Sequence, residues 1–214
     1  FLVSDLIKAN LTAKGFVTPS PIQDQTIPLA LTGCDIIGIA NTGTGKTAAF
    51  LIPLINKVVA DREHKIMILT PTRELALQVE NEFRIFTRGM RLFSVGCVGG
   101  APIGKQMREL ERGVHVVIGT PGRVKDLIQR NKIDMNIFGS IVLDEADRML
   151  DMGFIDDMKY ILSLMPTERQ GLFFSATFSP EIKALCSNFL KSPVTVSIKT
   201  RDTAASVEQN VVRV

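Results

Sequence analysis

The chain has 214 residues, of which 45% are hydrophobic and 22% are charged, and its formal net charge is +3 at pH 7. This length favours one large domain over two complete ones and allows a sizeable buried core. No apolar run approaches the roughly 18 residues of a membrane span, and the first residues show no signal-peptide pattern, so we expect no membrane partner. The small basic excess permits a nucleic-acid partner without requiring one.

The cysteines indicate a reducing compartment. Cys34, Cys97 and Cys186 are odd in number and far apart in the chain, and no Cys-x-x-Cys pair occurs. His64 and His115 are the two histidines, and neither lies in a pattern that suggests catalysis or a metal site. We therefore expect free, buried thiols with no disulfide partner in an intracellular, cytoplasmic protein.

Short apolar runs alternate with longer amphipathic segments along the chain. Seven of these runs predict strands, at residues 36–40, 66–70, 92–98, 114–119, 141–144, 172–175 and 194–198. Residues 74–87 and 155–165 carry apolar side chains at helical spacing. This alternation is typical of βα units. It predicts an α/β fold in which a mostly parallel sheet of about seven strands is flanked by helices on both faces.

Three predicted helices begin close behind a strand. Thr72, Thr120 and Ser179 each stand where a hydroxyl can cap the first turn, and proline follows the last two. Ligands of open α/β sheets bind at the carboxyl ends of the strands. These strand-to-helix turns are therefore expected to line one functional edge of the sheet.

A glycine-rich segment follows the first predicted strand. It reads Ala40-Asn41-Thr42-Gly43-Thr44-Gly45-Lys46-Thr47, which matches a phosphate-binding loop except that Ala40 replaces the usual glycine. Gly43 and Gly45 let the backbone approach an anion closely, and Lys46 adds a positive charge for the outer phosphates. The Thr47 hydroxyl, at the start of the next helix, is suited to bind Mg²⁺. The segment therefore predicts a nucleoside-triphosphate site.

Acidic residues follow the fifth predicted strand directly, in the order Asp144-Glu145-Ala146-Asp147. Asp144 is placed to hold Mg²⁺ through water, and Glu145 to orient and deprotonate the attacking water. The alternative is that these acids only stabilise the first turn of a helix electrostatically. Together with the phosphate loop upstream, they indicate a magnesium-dependent nucleotide triphosphatase.

Several further motifs extend this pattern to a family. The sequence contains Gly15-Phe16-Val17-Thr18-Pro19-Ser20-Pro21-Ile22-Gln23, Pro71-Thr72-Arg73-Glu74-Leu75-Ala76, Gly99-Gly100, Thr120-Pro121-Gly122-Arg123 and Ser175-Ala176-Thr177. With the phosphate loop and the Asp-Glu-Ala-Asp run, these motifs resemble, in order, those of the first RecA-like domain of DEAD-box ATP-dependent RNA helicases. The resemblance covers nearly the whole chain. It implies a RecA-like P-loop NTPase domain over residues 1–205, with a Q motif at about 1–23, an ATP-binding core at 24–200, and a final strand or the start of a linker at 206–214.

The resemblance assigns roles in nucleotide binding. Gln23 would read adenine, since an amide both donates and accepts hydrogen bonds. Phe16 would stack on the base, with a core aromatic as the alternative role, and Thr18 would contact the base through its backbone. ATP and Mg²⁺ are therefore the expected cofactors. Lys46, Asp144 and Glu145 are the expected catalytic residues.

Three loops are implied to bind RNA. They contain Pro71, Thr72 and Arg73, then Gly99 and Gly100, then Thr120, Pro121, Gly122 and Arg123. Each alone is also an ordinary turn or helix start. Their joint match to the family implies contacts to the RNA backbone, which carry no sequence information. Asp147, Ser175 and Thr177 are implied to couple ATP hydrolysis to strand separation, through hydrogen bonds from the two hydroxyls to the carboxylate.

The family requires a second RecA-like domain, which closes over ATP and supplies arginines. No His-Arg-x-Gly-Arg run occurs in the 214 residues. With such a second domain, we expect an enzyme that hydrolyses ATP to unwind short RNA duplexes or to remodel RNA–protein complexes. Two alternatives share these motifs: an ATP-gated RNA clamp that does not unwind, and a helicase directed to DNA.

Overall fold

A seven-stranded parallel sheet forms the centre of the protein. The structure is a computed structural model, and it describes residues 1–198. The strands are β1 (Ile36–Ile39), β2 (Lys65–Leu69), β3 (Ser94–Cys97), β4 (Val116–Gly119), β5 (Phe138–Leu143), β6 (Gln170–Ser175) and β7 (Val194–Ser197). Their order is β3-β4-β2-β5-β6-β1-β7, and every neighbouring pair is parallel. All strands therefore end at one edge, the carboxyl edge, and start at the opposite amino edge.

Helices cover both faces of this sheet. Within the described residues they are α1 (Asp5–Ala13), α2 (Pro21–Leu31), α3 (Lys46–Ala60), α4 (Arg73–Phe86), α5 (Ile103–Glu111), α6 (Pro121–Gln129), α7 (Ala146–Asp151), α8 (Ile155–Ser163) and α9 (Pro180–Phe189), with a short 3₁₀ helix at Met135–Ile137. Helices α1 to α4 pack into one hydrophobic cluster, and α6 to α9 pack into the other. Among residues 1–198, no helix has the length and apolar character needed to cross a membrane.

Successive residues of the central strands belong to opposite hydrophobic clusters. In β2, Ile66 and Ile68 belong to the cluster that includes α1 to α4, whereas Met67 and Leu69 belong to the other cluster. All four side chains are buried. A strand with both faces covered needs such a continuous apolar run. The predicted α/β architecture, a parallel sheet with helices on both faces, is confirmed.

All seven predicted strands occur, and their ends differ from the prediction by up to three residues. The largest difference is at β5, which starts at Phe138 and not at Ile141. Gly139 and Ser140 interrupt the apolar pattern, yet Ser140 still pairs with Ile66 of β2. The pairing of a central strand therefore extends beyond the apolar run that identifies it in the sequence.

Two of the three predicted helix caps form. The hydroxyls of Thr72 and Ser179 accept hydrogen bonds from backbone N–H groups of α4 and α9, at 3.2 and 3.3 Å. Thr120 precedes α6 but makes no side-chain cap bond. The three cysteines are free thiols; Cys34 is half-buried and the other two are buried. The predicted boundary at residue 205 and the predicted strand or linker at 206–214 lie outside the described residues.

A close contact in the sheet positions the helix that follows the phosphate loop. Gly38 in β1 pairs with Phe174 in β6, and a Cβ atom on Gly38 would lie 2.4 Å from the Phe174 ring. Because glycine lacks that atom, the ring can lie against β1. It also contacts Phe50 of α3, with ring centroids 5.6 Å apart. The glycine therefore allows β1, β6 and α3 to pack tightly beneath the loop.

We expect Gly38→Ala to lower the free energy of unfolding by about 1–3 kcal/mol, because the added methyl group overpacks a well-filled core. Chemical denaturation of both proteins measures this change. The matched control is Gly104→Ala in α5, where the added carbon meets nothing closer than the Arg108 side chain at 3.7 Å. The control should stabilise by roughly 0.5–1 kcal/mol, because alanine favours helix. Equal effects from the two substitutions would contradict this account.

Candidate functional site

The phosphate loop connects β1 to α3 at the carboxyl edge. Gly43 and Gly45 have φ angles of 83° and 95°, in the left-handed region that glycine adopts without strain. Gly45 is the N-cap residue of α3, so the loop ends where backbone N–H groups point outward at the start of a 15-residue helix. Thr44 Oγ1 donates a hydrogen bond to the carbonyl of Asn41 at 2.8 Å, which closes the turn. The loop is therefore folded for anion binding.

Ser20 and Gln23 hold this loop from outside. Ser20 Oγ donates to the carbonyl of Thr44 at 2.7 Å, and Gln23 Nε2 donates to the carbonyl of Gly45 at 3.1 Å. Gln23 Oε1 in turn accepts from the backbone N–H of Ser20 at 3.0 Å. Glycine at position 45 allows the close approach of Gln23, since a Cβ atom on Gly45 would lie 2.4 Å from Gln23 Nε2. We call this set of bonds the Ser20–Gln23 clamp.

The sequence predicts a contact of Gln23 with the base alone and does not predict the clamp. A signal for part of it was present, because Ser-x-x-Gln at a helix start is a capping box. The structure contains this box at the start of α2. The bonds to the phosphate loop, however, join residues more than 20 positions apart in the sequence.

Lys46 is buried at the base of the loop. Its ammonium group donates a hydrogen bond to the carbonyl of Ala40 at 2.9 Å, so the side chain folds back along the loop that it follows. The carbonyl of the residue that replaces the usual glycine thus anchors the lysine. Lys46 also lies close enough to Asp144 to stabilise the ionised carboxylate electrostatically.

Asp144 is a buried carboxylate with one unpartnered oxygen. It follows β5 directly, and its backbone N–H donates to the carbonyl of Leu69 at 3.0 Å. Its Oδ1 atom has no hydrogen-bond partner among residues 1–198. Burial raises the pKa of Asp144 to about 6, even though the charge of Lys46 acts in the opposite direction. A buried anionic oxygen without a partner is suited to a hydrated cation.

The residues present fit Mg²⁺ that is shared with a nucleotide. Within residues 1–198, no three His, Cys, Asp or Glu side chains are grouped so that they could hold a metal ion by themselves. Mg²⁺ typically keeps several waters and uses one or two protein groups together with substrate phosphates. Asp144 and the half-buried hydroxyl of Thr47, in the first turn of α3, are the protein groups available for that role.

Glu145 links the acidic turn to the phosphate loop. Its backbone is in the left-handed region, with a φ angle of 54°. Glu145 Oε1 accepts a hydrogen bond from Thr42 Oγ1 at 3.2 Å, and Oε2 accepts from Arg148 Nη1 at 3.3 Å. Arg148 directly follows the acidic run, and its partner is Glu145. Both carboxylate oxygens are thus held at the mouth of the site.

A cavity of about 240 Å³ opens between these groups. It is lined by Phe16, Gln23, Thr42, Gly43, Gly45, Lys46, Thr47, Ala48, Leu75, Gln78, Glu82, Asp144 and Glu145. An adjoining cavity of about 300 Å³ shares Phe16 and Gln23 and includes Thr18. Phe16 is half-buried and packs edge-to-face on Phe86, with ring centroids 5.6 Å apart. Phe16 therefore packs on the core, as the alternative role requires, and it also borders both cavities.

Asp147 holds the segment that follows β6. Its Oδ2 atom accepts hydrogen bonds from the N–H groups of Ala176 and Thr177 and from the Thr177 hydroxyl, at 3.1, 2.9 and 3.0 Å. Burial alone would raise the pKa of Asp147, but the bonds from Thr177 and Arg148 outweigh burial and hold the pKa below its usual value. The predicted hydroxyl bond thus forms for Thr177.

Ser175 does not make the predicted hydrogen bond to Asp147. Its hydroxyl is buried at the end of β6 and has no hydrogen-bond partner in the described part of the chain. It is still close enough to the Asp147 carboxylate to contribute to its lowered pKa. The two backbone N–H groups of the following residues take the place that the sequence analysis gave to the Ser175 hydroxyl.

The three loops with predicted RNA contacts follow adjacent strands, because β3, β4 and β2 are neighbours. Arg73 and Gly100 come close together, since a Cβ atom on Gly100 would lie 3.4 Å from Arg73 Nη1. Arg123 donates to the carbonyl of Ala101 at 3.1 Å and to Gln106 Oε1 at 2.9 Å. Arg123 is therefore half-buried and braces the loop after β3, whereas Arg73 is exposed.

The other predicted residues of these loops differ in exposure. Gly99 and Gly100 are exposed, Thr72, Thr120 and Gly122 are half-buried, and Pro71 and Pro121 are buried. Thr72 Oγ1 is occupied in capping α4. The loops thus form one continuous surface at the carboxyl edge, in which exposed glycine backbone and Arg73 are the most accessible groups.

This combination of a parallel α/β sheet, a phosphate loop and an acidic turn defines a P-loop domain of the RecA-like fold class. The sequence model of the DEAD/DEAH box helicase family matches residues 20–185. The chain belongs to this family.

Relatives of known name or structure agree with this assignment. The chain is 48% identical over 201 residues to RNA helicase CrhR of Synechocystis sp., and this match covers 94% of the chain and 41% of that protein. A DEAD box protein from Methanococcus jannaschii has a similar structure, with a TM-score of 0.89, 38% identity, and coverage of 93% of this chain and 55% of that one. A hypothetical ATP-dependent RNA helicase from Sulfolobus tokodaii is also similar in structure, with a TM-score of 0.86, 35% identity, and coverage of 92% of this chain and 57% of that one. The chain thus spans about half or less of the length of these relatives.

We expect Asp144→Asn to raise the stability of the nucleotide-free domain at pH 8 by about 1–3 kcal/mol. The folded state raises the pKa of this acid to about 6 from 3.8, so ionisation at pH 8 opposes folding. The gain should shrink as the pH falls through 6 towards 4, where the folded wild-type carboxyl group takes up its proton. Thermal unfolding at several pH values measures both effects. Asp151→Asn, which changes an exposed acid, is the control and should change stability little at any pH.

Proposed function

We propose that the chain is the ATP-binding domain of an ATP-dependent RNA helicase that works with a second RecA-like domain. One observation carries this proposal. The phosphate loop and the acidic turn follow β1 and β5, and the three loops suited to RNA follow β2, β4 and β3 on the same edge. CrhR, which shares 48% of the aligned residues, is an RNA helicase.

Nucleotide recognition would start at the Ser20–Gln23 clamp. The Gln23 amide uses one N–H bond for Gly45 and one oxygen lone pair for Ser20. A carboxamide has a second N–H bond and a second lone pair, which are sufficient to read the donor and acceptor on one edge of adenine. Phe16, beside it, would stack on the base. These contacts favour ATP over GTP.

The phosphates and Mg²⁺ would bind to the loop and the acidic turn. Backbone N–H groups of residues 43–47 would surround the phosphates, and the two unused N–H bonds of the Lys46 ammonium would reach the outer phosphate oxygens. Thr47 and Asp144 would hold Mg²⁺, the latter through water. When bound, the ion neutralises charge on the transferring phosphoryl group.

Glu145 would act as the general base. Its carboxylate already lies at the mouth of the cavity, fixed by Thr42 and Arg148. It would orient the attacking water and accept its proton. Because Thr42 belongs to the phosphate loop, a change in that loop on nucleotide binding would release one of the two bonds that fix the base.

RNA would bind along the three adjacent loops through its sugar–phosphate backbone. Arg73 and the N–H groups of Gly99 and Gly100 are the accessible donors there. Such contacts position a strand without reading its sequence. The Asp147–Thr177 hydrogen bonds connect the acidic turn to the segment after β6, so they would transmit hydrolysis to domain movement and strand separation.

A second RecA-like domain would complete the site with arginines. The relatives are about twice as long as the chain, which leaves room for such a domain in them. An arginine supplied at the phosphate contributes about 10³–10⁵ in rate in related phosphoryl-transfer systems. Domain closure over ATP and RNA would then be the step that separates short duplexes.

Lys46→Ala should weaken ATP binding by about tenfold to a hundredfold, because it removes charge-assisted hydrogen bonds to phosphate. Glu145→Gln should leave ATP binding nearly unchanged, since the base acts only in the chemical step. Titration with a fluorescent ATP analogue in the presence of Mg²⁺ measures both affinities. Lys159→Ala, which removes an exposed lysine of α8, is the matched charge control. Undiminished affinity in Lys46→Ala would show that the assigned phosphate role is wrong.

The 214-residue chain alone should hydrolyse ATP slowly and show little stimulation by RNA. The reason is the missing arginine, which lowers the rate by about 10³–10⁵ relative to a complete site. Steady-state phosphate release, with and without single-stranded RNA, measures this. Joining the chain to the second domain of a relative should restore RNA-stimulated turnover and unwinding of short duplexes. Fast RNA-dependent turnover by the chain alone would refute the need for a second domain.

A further inference from the structure

A basic and aromatic surface lies at the amino edge of the sheet, opposite the nucleotide site. We call it the amino-edge surface, and it consists of Arg62, Lys65, Arg91, Phe93 and His115. These residues stand just before or at the first residues of β2, β3 and β4, which are adjacent strands. The N–H of Ile66 donates to the carbonyl of His115 at 2.9 Å, which joins the starts of β2 and β4. The five residues therefore form one patch.

Phe93 presents an aromatic ring to solvent. Its side chain is 57% exposed, the highest value for any phenylalanine among residues 1–198. The ring leans on the imidazole of His115, with centroids 6.0 Å apart and planes at 32°. The backbone is fixed as well: the Phe93 N–H donates to His115 Nδ1 at 3.2 Å, and the His115 N–H donates to the Phe93 carbonyl at 2.9 Å. Phe93 is thus a rigid, accessible platform.

His115 supports this platform as a neutral ring. Burial lowers its pKa first, and the positive charges of Lys65 and Arg62 lower it further. Its Nδ1 atom accepts a hydrogen bond, which places the remaining proton on Nε2. Glu63 acts in the opposite direction on the pKa of His115, but its effect is smaller than those of Lys65 and Arg62.

The cations of this surface have no carboxylate partners. In the described part of the chain, neither Arg62, Lys65 nor Arg91 forms an ion pair within 4.0 Å, whereas Lys105, Arg130 and Lys132 on nearby helices and turns each do. Arg62 donates to the carbonyl of Met90 at 3.0 Å, so it braces the loop that carries Arg91. Cations without an ion-pair partner among residues 1–198 are available for an external anion.

Arg91 occupies a backbone conformation that costs energy. Its φ angle is 52°, in the left-handed region, where a residue with a Cβ atom is less stable by roughly 1–2 kcal/mol. Glycine would fit this turn without strain. The fold therefore places an arginine side chain where a smaller residue would be more stable, two positions from the exposed ring of Phe93.

We propose that the amino-edge surface is a second binding site for single-stranded RNA, in which a base stacks on Phe93 and Arg62, Lys65 and Arg91 hold the flanking phosphates. Aromatic platforms beside positive charge bind single strands in this manner. The site is distinct from the three loops, because His115 and Thr120 lie at opposite ends of β4, about 16 Å apart at the usual strand rise. The inference rests on the proposed RNA function but involves none of its residues.

The chemistry of the patch favours RNA over an acidic protein segment. Carboxylates would satisfy the cations but would leave the ring of Phe93 without a stacking partner. A single-stranded nucleic acid supplies phosphates and flat bases together. An RNA strand that extends beyond the three loops at the carboxyl edge could thus also be bound at the amino edge of β2, β4 and β3.

The test measures binding of a fluorescent oligouridine of about 16 nucleotides, the upper site size of a single-strand binding fold, to the 214-residue chain. Phe93→Leu keeps an apolar side chain but removes stacking, and it should weaken binding at least about fivefold. Phe93→Trp should retain the affinity. Arg91→Gly relieves the backbone strain, so the domain stays folded. It should reduce the slope of log affinity against log salt by about 0.7, the loss of one phosphate contact.

Control variants separate this proposal from the proposed function. Lys183→Ala removes an exposed cation of α9 and should leave the salt slope unchanged. Arg73→Ala tests the three loops independently. If Arg73→Ala weakens binding and Phe93→Leu does not, the amino-edge site is refuted and the carboxyl-edge site stands. If only Phe93→Leu weakens binding, the amino-edge site stands and the RNA contact of the three loops fails.

Two further results would overturn the proposal. Equal affinities for Phe93→Leu and Phe93→Trp would show that stacking is absent. The second result comes from competition with polyglutamate. If polyglutamate displaces the RNA so fully that the wild type and Phe93→Leu then bind RNA equally, an acidic protein segment is the better ligand. Thermal unfolding of each variant confirms that the domain remains folded during these measurements.

Discussion

Two opposite charges that are buried at the carboxyl edge and interact electrostatically constrain the whole site. Lys46 and Asp144 are 6% and 3% exposed, and removing either charge from water is costly. Lys46 donates one of its three N–H bonds to a carbonyl, and Asp144 keeps an oxygen without a partner within residues 1–198. The raised pKa of Asp144 expresses this incomplete compensation. Phosphates beside Lys46 and a cation beside Asp144 would supply the charge partners that the protein does not provide. The fold therefore holds the site in a form that favours a charged ligand.

The strand order divides the carboxyl edge into two functional halves. The loops after β1 and β5 surround the cavity proposed for the nucleotide, and β6 lies between those strands. The segment after β6 is therefore next to the acidic turn, where Asp147 binds it. On the other side of β5, strands β2, β4 and β3 carry the three loops proposed for RNA. The acidic turn after β5 lies at the border between the halves, so it adjoins the proposed nucleotide site on one side and the loops proposed for RNA on the other.

The sequence predicts those parts of this structure that depend on local pattern. The seven strands follow from apolar runs with both faces buried, and Thr72 and Ser179 follow from capping preferences. The phosphate loop follows from glycine positions that need left-handed φ angles. In each case the physical cause acts within a few residues, so it is visible in the chain.

Contacts between distant segments are not visible in this way. The Ser20–Gln23 clamp, the bond from Thr42 to Glu145 and the role of Arg123 as a brace all join residues 17 or more positions apart. The bonds from the N–H groups of Ala176 and Thr177 to the Asp147 carboxylate also depend on tertiary geometry, and the Ser175 hydroxyl is left without a hydrogen-bond partner within residues 1–198. The clamp has a consequence for energetics. Because the Gln23 amide binds the phosphate loop and is also the group proposed to bind the base, base binding and phosphate binding would be thermodynamically linked, and the linkage would be reciprocal. The free energy by which a bound base strengthens phosphate binding would equal the free energy by which bound phosphate strengthens base binding. Loss of a phosphate would therefore lower the affinity for the base by that amount.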